Sequence, residues 1–270
     1  MKIGRREFDT VHQTYIMGIL NVTPDSFSDG GKYSRLDDAL FRVEEMIGQG
    51  MDILDIGGES TRPGYHQVDC KEEAERVVPV IRAVKERFDV PISLDTCKAE
   101  VAGKGIEAGA DLINDIWGLK RDPKMAEVIA KAKLPCVLMH NRKEAVYDDF
   151  LKDVAGDLRE TIALAEQAGI EREKIILDPG IGFGKTYEQN LQMLHSLEAL
   201  RELGFPVLLG ASRKSVVGLT LDLPVTERVE GTLVTTVFGV MKGCSFVRVH
   251  DIKENVRAVK MAKAILNAGI

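Results

Sequence analysis

The chain has 270 residues, 44% of them hydrophobic and 29% charged, with a formal net charge of −6. That is apolar material for a large core, and it lacks the basic excess of a general nucleic-acid binder, so no nucleic acid is expected as a partner. No apolar run approaches the ~18 residues of a membrane span, and Lys2-Ile-Gly-Arg-Arg-Glu-Phe8 is too polar for a signal-peptide core, which leaves no membrane partner either.

In chain order, residues 2–13 read as a short hairpin turning at Gly4. Tyr15 to Asn21 is a run of strand formers handing over to a loop rich in Pro, Asp, Ser and Gly. A helix is expected over 36–49, capped by Gly50, then a strand at 53–57, a second long loop and a helix over 71–87. The alternation continues with strands at 92–95, 112–114, 136–139 and 175–178. Helices ending near Gly109, over 124–133, over 149–168 and over 187–203 follow them. A strand at 207–210, an unusually apolar helix at 226–241, a strand at 246–250 and a helix at 253–266 complete the count. Eight strand–helix units predict an α/β fold of the (β/α)₈ TIM-barrel type, with a short N-terminal β-hairpin (1–13) before a barrel (14–270) in a single domain. A doubly wound open sheet is the alternative.

In such a barrel the active site lies where the C-terminal strand ends open into loops. Those ends read Asn21, Asp55, Asp95, Asn114, Met139-His140, Asp178, Ala211-Ser212 with Lys214 just beyond, and Arg248 with His250. Any one of them could be a helix cap or a satisfied buried group, but capping alone does not explain so many on one rim. Asp95, Asn114 and Asp178 suit a flat heterocycle carrying N–H and amino groups, whereas Lys214, Arg248 and His250 suit a carbonyl or a phosphate. Arg248 and His250, two apart on a strand, should point the same way.

Asp178-Pro-Gly-Ile-Gly-Phe-Gly-Lys-Thr186 stands where a P-loop would, but Pro179 occupies the place of the first Walker glycine and Lys185 that of a third dinucleotide-site glycine. Cys97 has no His nearby in sequence and reads as a small buried residue. Cys70, Cys97, Cys136 and Cys244 form no C-x-x-C pair, which suggests neither a zinc site nor a disulfide framework and points to the cytoplasm. Asp153, Asp157 and Glu160 read as the solvated face of a long helix, and His195 as a surface residue.

Two long stretches carry a resemblance. Leu20-Asn-Val-Thr-Pro-Asp-Ser-Phe-Ser-Asp-Gly-Gly31 and Leu54-Asp-Ile-Gly-Gly-Glu-Ser-Thr-Arg-Pro-Gly64 resemble the first and second signatures of dihydropteroate synthase, a pterin-binding TIM-barrel family. Ser93-Leu-Asp-Thr96, Ile113-Asn-Asp-Ile116, Leu177 to Lys185, Ala211-Ser-Arg-Lys-Ser215 and Val247-Arg-Val-His-Asp251 are similar to further motifs of that family, in its order.

The resemblance implies a cytoplasmic transferase of folate biosynthesis, a sulfonamide target, that joins (7,8-dihydropterin-6-yl)methyl diphosphate to 4-aminobenzoate. By motif, Asp95, Asn114, Met139, Asp178, Lys214 and Arg248 would hold the pterin, with Asp95, Asp178, Lys214, Arg248 and His250 catalytic. Asn21, Thr61, Arg248 and His250 would surround the diphosphate, and Asn21 would lie near a Mg²⁺. Phe27, Asp29, Thr61, Arg62, Pro63, Phe183 and Ser215 would form the aminobenzoate pocket. The sequence departs from many relatives after the fifth strand, where Leu138-Met-His-Asn-Arg-Lys-Glu144 replaces Met-His-Met-x-Gly.

The composition of the loops after the first two barrel strands is that of lids, expected to order once the pterin diphosphate is bound. A corrinoid-linked pterin methyltransferase, a Schiff-base enzyme using Lys214 and a non-catalytic pterin binder are the competing readings. Residues 226–241, apolar on nearly every side, are the expected homodimer interface.

Overall fold

The computed structural model describes residues 1–22, 32–59 and 68–268. It opens on an antiparallel hairpin, β1 (Lys2–Ile3) and β2 (Arg6–Glu7), with Gly4 at φ +60° in the turn. Then come β3 (Tyr15–Asn21), α1 (Lys32–Gly48), β4 (Ile53–Gly57), α2 (Cys70–Arg87), β5 (Ile92–Asp95), α3 (Ala99–Ala108), β6 (Leu112–Asp115) and α4 (Met125–Ala132). The alternation resumes with β7 (Cys136–Met139), α5 (Phe150–Gln167), β8 (Ile175–Asp178), α6 (Tyr187–His195) and α7 (Glu198–Arg201). The last elements are β9 (Leu208–Leu209), α8 (Ser215–Leu221), α9 (Val229–Met241), β10 (Phe246–Val249) and α10 (Ile252–Asn267).

Strands β3 to β10 pair in parallel in the order β8-β7-β6-β5-β4-β3-β10-β9, and a parallel bridge between Leu177 and Val207 brings the two ends together. This is the (β/α)₈ barrel the alternation predicts. Side chains along each strand alternate between two cores. Leu54, Ile56, Leu94, Ile113, Leu138 and Leu177 belong to the outer one, shared with the helices. Met17, Ile53, Leu112, Val137, Ile176, Leu208 and Phe246 fill the lower barrel, joined there by Ile3 and Phe8 of the N-terminal segment. The hairpin is therefore a plug. It buries its two apolar side chains in the end of the barrel opposite the site.

Helix α1 begins at Lys32, four residues before its expected start, and two later stretches differ more. The stretch 187–203 breaks into α6 and α7 at Ser196-Leu197, where Leu197 turns fully inward and the Ser196 N–H is shared between Gln192 O (3.1 Å) and Met193 O (3.2 Å). The stretch 226–241 is α-helical only from Val229, after a 3₁₀ turn at Val225–Glu227, and α8 lies in what reads as loop. Its Val216-Val217-Gly218 core has poor helix propensity. Packing overrides this: Val216 and Val217 are buried, and the Arg228 guanidinium lies against Gly218, donating to Leu223 O (3.0 Å) and Arg213 O (3.0 Å).

Candidate active site

Strand register sets the floor of the barrel mouth. Asn21 pairs with Gly57, Gly57 with Asp95 and Asp95 with Asn114, so these residues form one course around the inside. Gly57 leaves a gap in it: a Cβ there would stand 3.7 Å from Asn21 Oδ1 and 3.8 Å from Asp95 Oδ2. Met139 and Asp178, paired on β7 and β8, continue the wall. Asn114, Met139 and Asp178 are all buried.

Below this course lies an ion cluster. Asp55, with no exposed surface, accepts from Ser93 Oγ at 2.6 Å and from Arg248 Nε at 2.6 Å. The same guanidinium donates from Nη2 to Asp95 Oδ2 at 2.6 Å. One cation bridges two carboxylates, leaving a net negative charge in the mouth. Burial pushes Asp95 up to about 7, Arg248 opposing and Asp55 adding to the shift. Burial also works against the Arg248 charge, yet the two carboxylates hold it above the usual guanidinium range.

Asp178 Oδ1 accepts the Gly180 N–H at 2.6 Å, and burial raises this carboxyl to about 6 against the pull of that N–H and of Lys214. Lys214 sits just before α8 with its Nζ 4.0 Å from the centre of the Phe183 ring, a cation–π distance. Ser215, the first residue of α8, is exposed beside it. His250 Nδ1 lies 3.0 Å from Ser212 Oγ, which also accepts the His250 backbone N–H at 3.2 Å. Arg213 turns away: at φ +57° its Nε donates to Asp251 at 2.9 Å and its backbone N–H to Thr232 at 3.0 Å.

The structure thus gathers Asp95, Asn114, Met139, Asp178 and Arg248 in one mouth, with Asn21 and His250 at its rim and Lys214 against Phe183. Phe27, Asp29, Thr61, Arg62 and Pro63, and with them the expected lids, lie outside the described residues. Cys97 is buried and its thiol is pushed up to about 12 by burial, which suits packing and not nucleophilic attack. Among the described residues, no group of three or more His, Cys, Asp or Glu side chains could hold a metal ion.

Sequence reasoning missed several partners. Asp55 reads as a strand end but not as the anchor of Arg248, and Ser93, which shares the inward parity of Asp95, is not singled out at all. Asp157 is not merely a solvated helix residue: its carboxylate takes His140 Nε2 at 3.0 Å and Arg142 Nε at 2.6 Å. His140 in turn meets Lys185. These pairs join α5 to the loop just before it and, through His140, to the β8–α6 loop, and no periodicity reports them.

A parallel barrel whose mouth offers carboxylates and an amide to a ring and cations to an anion has a matching family. The family model for pterin-binding enzymes matches residues 17–250, and the chain belongs to that family. The chain is 60% identical over 267 residues to the dihydropteroate synthase of Clostridium beijerinckii, covering 98% of this chain and 99% of that protein. It is similar to the crystal structure of dihydropteroate synthase from Clostridium difficile in the presence of pteroic acid, at TM-score 0.94 and 49% identity over 96% of this chain and 99% of that one. It is also similar to the Xanthomonas albilineans dihydropteroate synthase with 4-aminobenzoic acid, at TM-score 0.91 and 41% identity over 95% of this chain and 94% of that one.

Proposed function

We propose that the chain is a dihydropteroate synthase, condensing (7,8-dihydropterin-6-yl)methyl diphosphate with 4-aminobenzoate to give 7,8-dihydropteroate and diphosphate. What carries this reading is the course of Asp95, Asn114 and Asp178 in one mouth with Lys214 and Arg248 at its side. A pterin edge rich in N–H and amino donors meets acceptors there, and Lys214 faces its carbonyl. The pteroic acid and aminobenzoic acid named with the two similar structures support both halves of the substrate pair.

The chemistry is substitution at the pterin methylene. The C–O bond to diphosphate breaks first, its electron pair leaving with the diphosphate; the aryl amine then forms the C–N bond and gives up a proton. The negative charge of Asp95 and Asp178 is fixed beforehand where positive charge develops in the ring, which lowers the barrier without reorganisation. Arg248, His250, Asn21 and Thr61 hold the departing diphosphate. Phe27, Asp29, Arg62, Pro63, Phe183 and Ser215, with Thr61, take the aminobenzoate. A neutral aryl amine needs no strong base, and none is assigned.

Mg²⁺ fits as an ion carried in on the diphosphate. It keeps waters and substrate phosphates as ligands and asks little of the protein, and the Asn21 amide oxygen is a hard donor at the rim. When bound it would neutralise charge on the leaving group.

Val234, Phe238 and Met241 of α9 are exposed beside a groove of about 300 Å³ between α6, α8 and α9, and we assign the homodimer interface to this face. Sedimentation as a monomer at micromolar concentration would remove that assignment. Four free cysteines suit a reducing compartment, hence a cytoplasmic enzyme, which cell fractionation tests. The hairpin's burial inside the barrel supports residues 1–270 as one domain, with a single calorimetric transition expected.

The deciding assay is diphosphate release on adding 4-aminobenzoate to enzyme and pterin diphosphate. Release independent of the amine, or none at all, would end the proposal.

A further inference from the structure

Lys185 closes the loop between β8 and α6; burial pulls its amine down to about 7 against the nearby Asp178 and Asp157 charges, and in its protonated form it has three hydrogens to place. It has three acceptors: His140 Nδ1 at 2.8 Å, Gly180 O at 3.0 Å and Phe183 O at 3.1 Å. His140 is buried and neutral, since burial pulls it down to about 3 with Lys185 adding to the shift. With Nδ1 accepting, the ring proton sits on Nε2 and goes to Asp157 Oδ2 at 3.0 Å. Arg142 fixes the same carboxylate with two nitrogens, Nε to Oδ2 at 2.6 Å and Nη2 to Oδ1 at 3.1 Å.

The chain of bonds therefore runs from α5 through the end of β7 to two carbonyls of the β8–α6 loop. The loop is built to receive it. Gly180 and Gly184 have φ of +69° and +53°, and a Cβ on either would collide with the backbone of His140 or Arg142. Tyr147 Oη donates to Gly184 O at 2.6 Å, and the Gly182 N–H donates to Asn190 Oδ1 at 2.6 Å. What the clamp leaves projecting is the Phe183 ring, 4.0 Å from Lys214 Nζ.

We propose that Asp157, His140 and Lys185 form a positioning relay that fixes Phe183, so that the second substrate is received by a loop held in place from α5. The proposal rests on the assignment of Phe183 to the aminobenzoate pocket. In the proposed site none of the three relay residues touches the substrates; they act through the carbonyls of Phe183 and Gly180. The tautomer of His140 is the link: Asp157 holds the proton on Nε2, which keeps Nδ1 open to Lys185.

The test is steady-state kinetics with each substrate varied in turn, on wild type, Phe183→Ala, Lys185→Met and Asp157→Asn, with thermal unfolding alongside. Lys185→Met is expected to raise the aminobenzoate KM about tenfold and Asp157→Asn about threefold, while the KM for the pterin diphosphate stays within about twofold. Asp157 is partly exposed, so Asp157→Asn folds and carries the test alone if Lys185→Met does not. If Phe183→Ala raises the aminobenzoate KM and neither relay variant does, the relay is overturned. A parallel rise in both KM values together with a fall in melting temperature marks a mere staple and also overturns it. If Phe183→Ala leaves the aminobenzoate KM unchanged, the pocket assignment fails, and the relay with it.

Discussion

Two residues along a strand separate two different interiors in this barrel. Ile53, Leu112, Val137, Ile176 and Phe246 lie in the fully buried lower layer, sealed by Ile3 and Phe8. Two positions on stand Asp55, Asn114, Met139, Asp178 and Arg248. Positions i and i+2 share a face, so the change is one of height alone. The lower layer removes apolar area from water, a stabilising term, and offers a ligand nothing to bond. The upper layer confines charge: burial lifts Asp95 and Asp178 well above the ordinary carboxylate range, which means their charged forms sit there at a cost. Stability and function are divided along the barrel axis, and substitutions at the two heights should fail in different ways.

The largest effect belongs to the lower layer. Phe246 is fully buried with its ring centre 5.9 Å from those of both Phe8 and Tyr15. Phe246→Ala should lose about 3–5 kcal/mol in urea unfolding while turnover per folded molecule stays near wild type. Asp178→Asn should do the reverse. Pterin diphosphate binding by calorimetry should weaken by about 2–4 kcal/mol, as expected for a buried charged hydrogen-bond partner, with no loss of folding stability. A loss below threefold would remove Asp178 from its assigned role, and a Phe246→Ala protein that is stable but inactive would break the division by height.

This division was partly legible beforehand. The strand ends were, because a polar residue closing an apolar run stands out and eight such runs share one rim. Strands β4, β5, β7 and β8 fall where the pattern puts them, since each is a short buried run between turn residues. Helix α8 was hidden, because Val216, Val217 and Gly218 disfavour a helix that only Arg228 and the surrounding packing secure. The ion cluster was half visible. Asp55 could be seen as a strand end, but its bond to an Arg 193 positions later depends on closure of the barrel. Asp157 was misread for a similar reason: its partners come from the loop after β7, which no helical period encodes.

A smaller change sharpens the comparison within the upper layer. Asp55 bears on no substrate in the proposed site, yet it holds Arg248 from below. Asp55→Asn should cut kcat/KM for the pterin diphosphate about tenfold, or about 1.4 kcal/mol, because Arg248 keeps only Asp95 as an anchor. Folding stability should stay within about 1 kcal/mol, since the cluster sheds a surplus negative charge together with the bond. An unaltered kcat/KM would reduce Asp55 to packing, and a large stability loss would move it to the side of the lower layer.

The smallest effect is one of pH, and it sets the two properties against each other in a single residue. Asp178 is raised from its ordinary 3.8 to about 6, chiefly by burial. In the proposed site the pterin's donors need the ionised form, so Asp178's own share of the fall in kcat/KM for the pterin substrate between pH 8 and pH 6 should be about twofold, near 0.4 kcal/mol, and steeper below. Asp178→Asn should lose this step and keep only the one that Asp95, pushed up to about 7, contributes. The folding balance has the opposite sign. A carboxyl whose folded pKa is raised binds its proton more tightly when folded, so its stabilising contribution is complete below the ordinary 3.8 and is lost as pH rises through 6. Wild type should therefore gain unfolding free energy relative to Asp178→Asn from pH 8 to pH 5, over the range in which its kcat/KM declines. Parallel unfolding and kinetic titrations that fell together would mean that the Asp178 charge is no burden to the fold, and the upper layer would then differ from the lower in chemistry but not in cost.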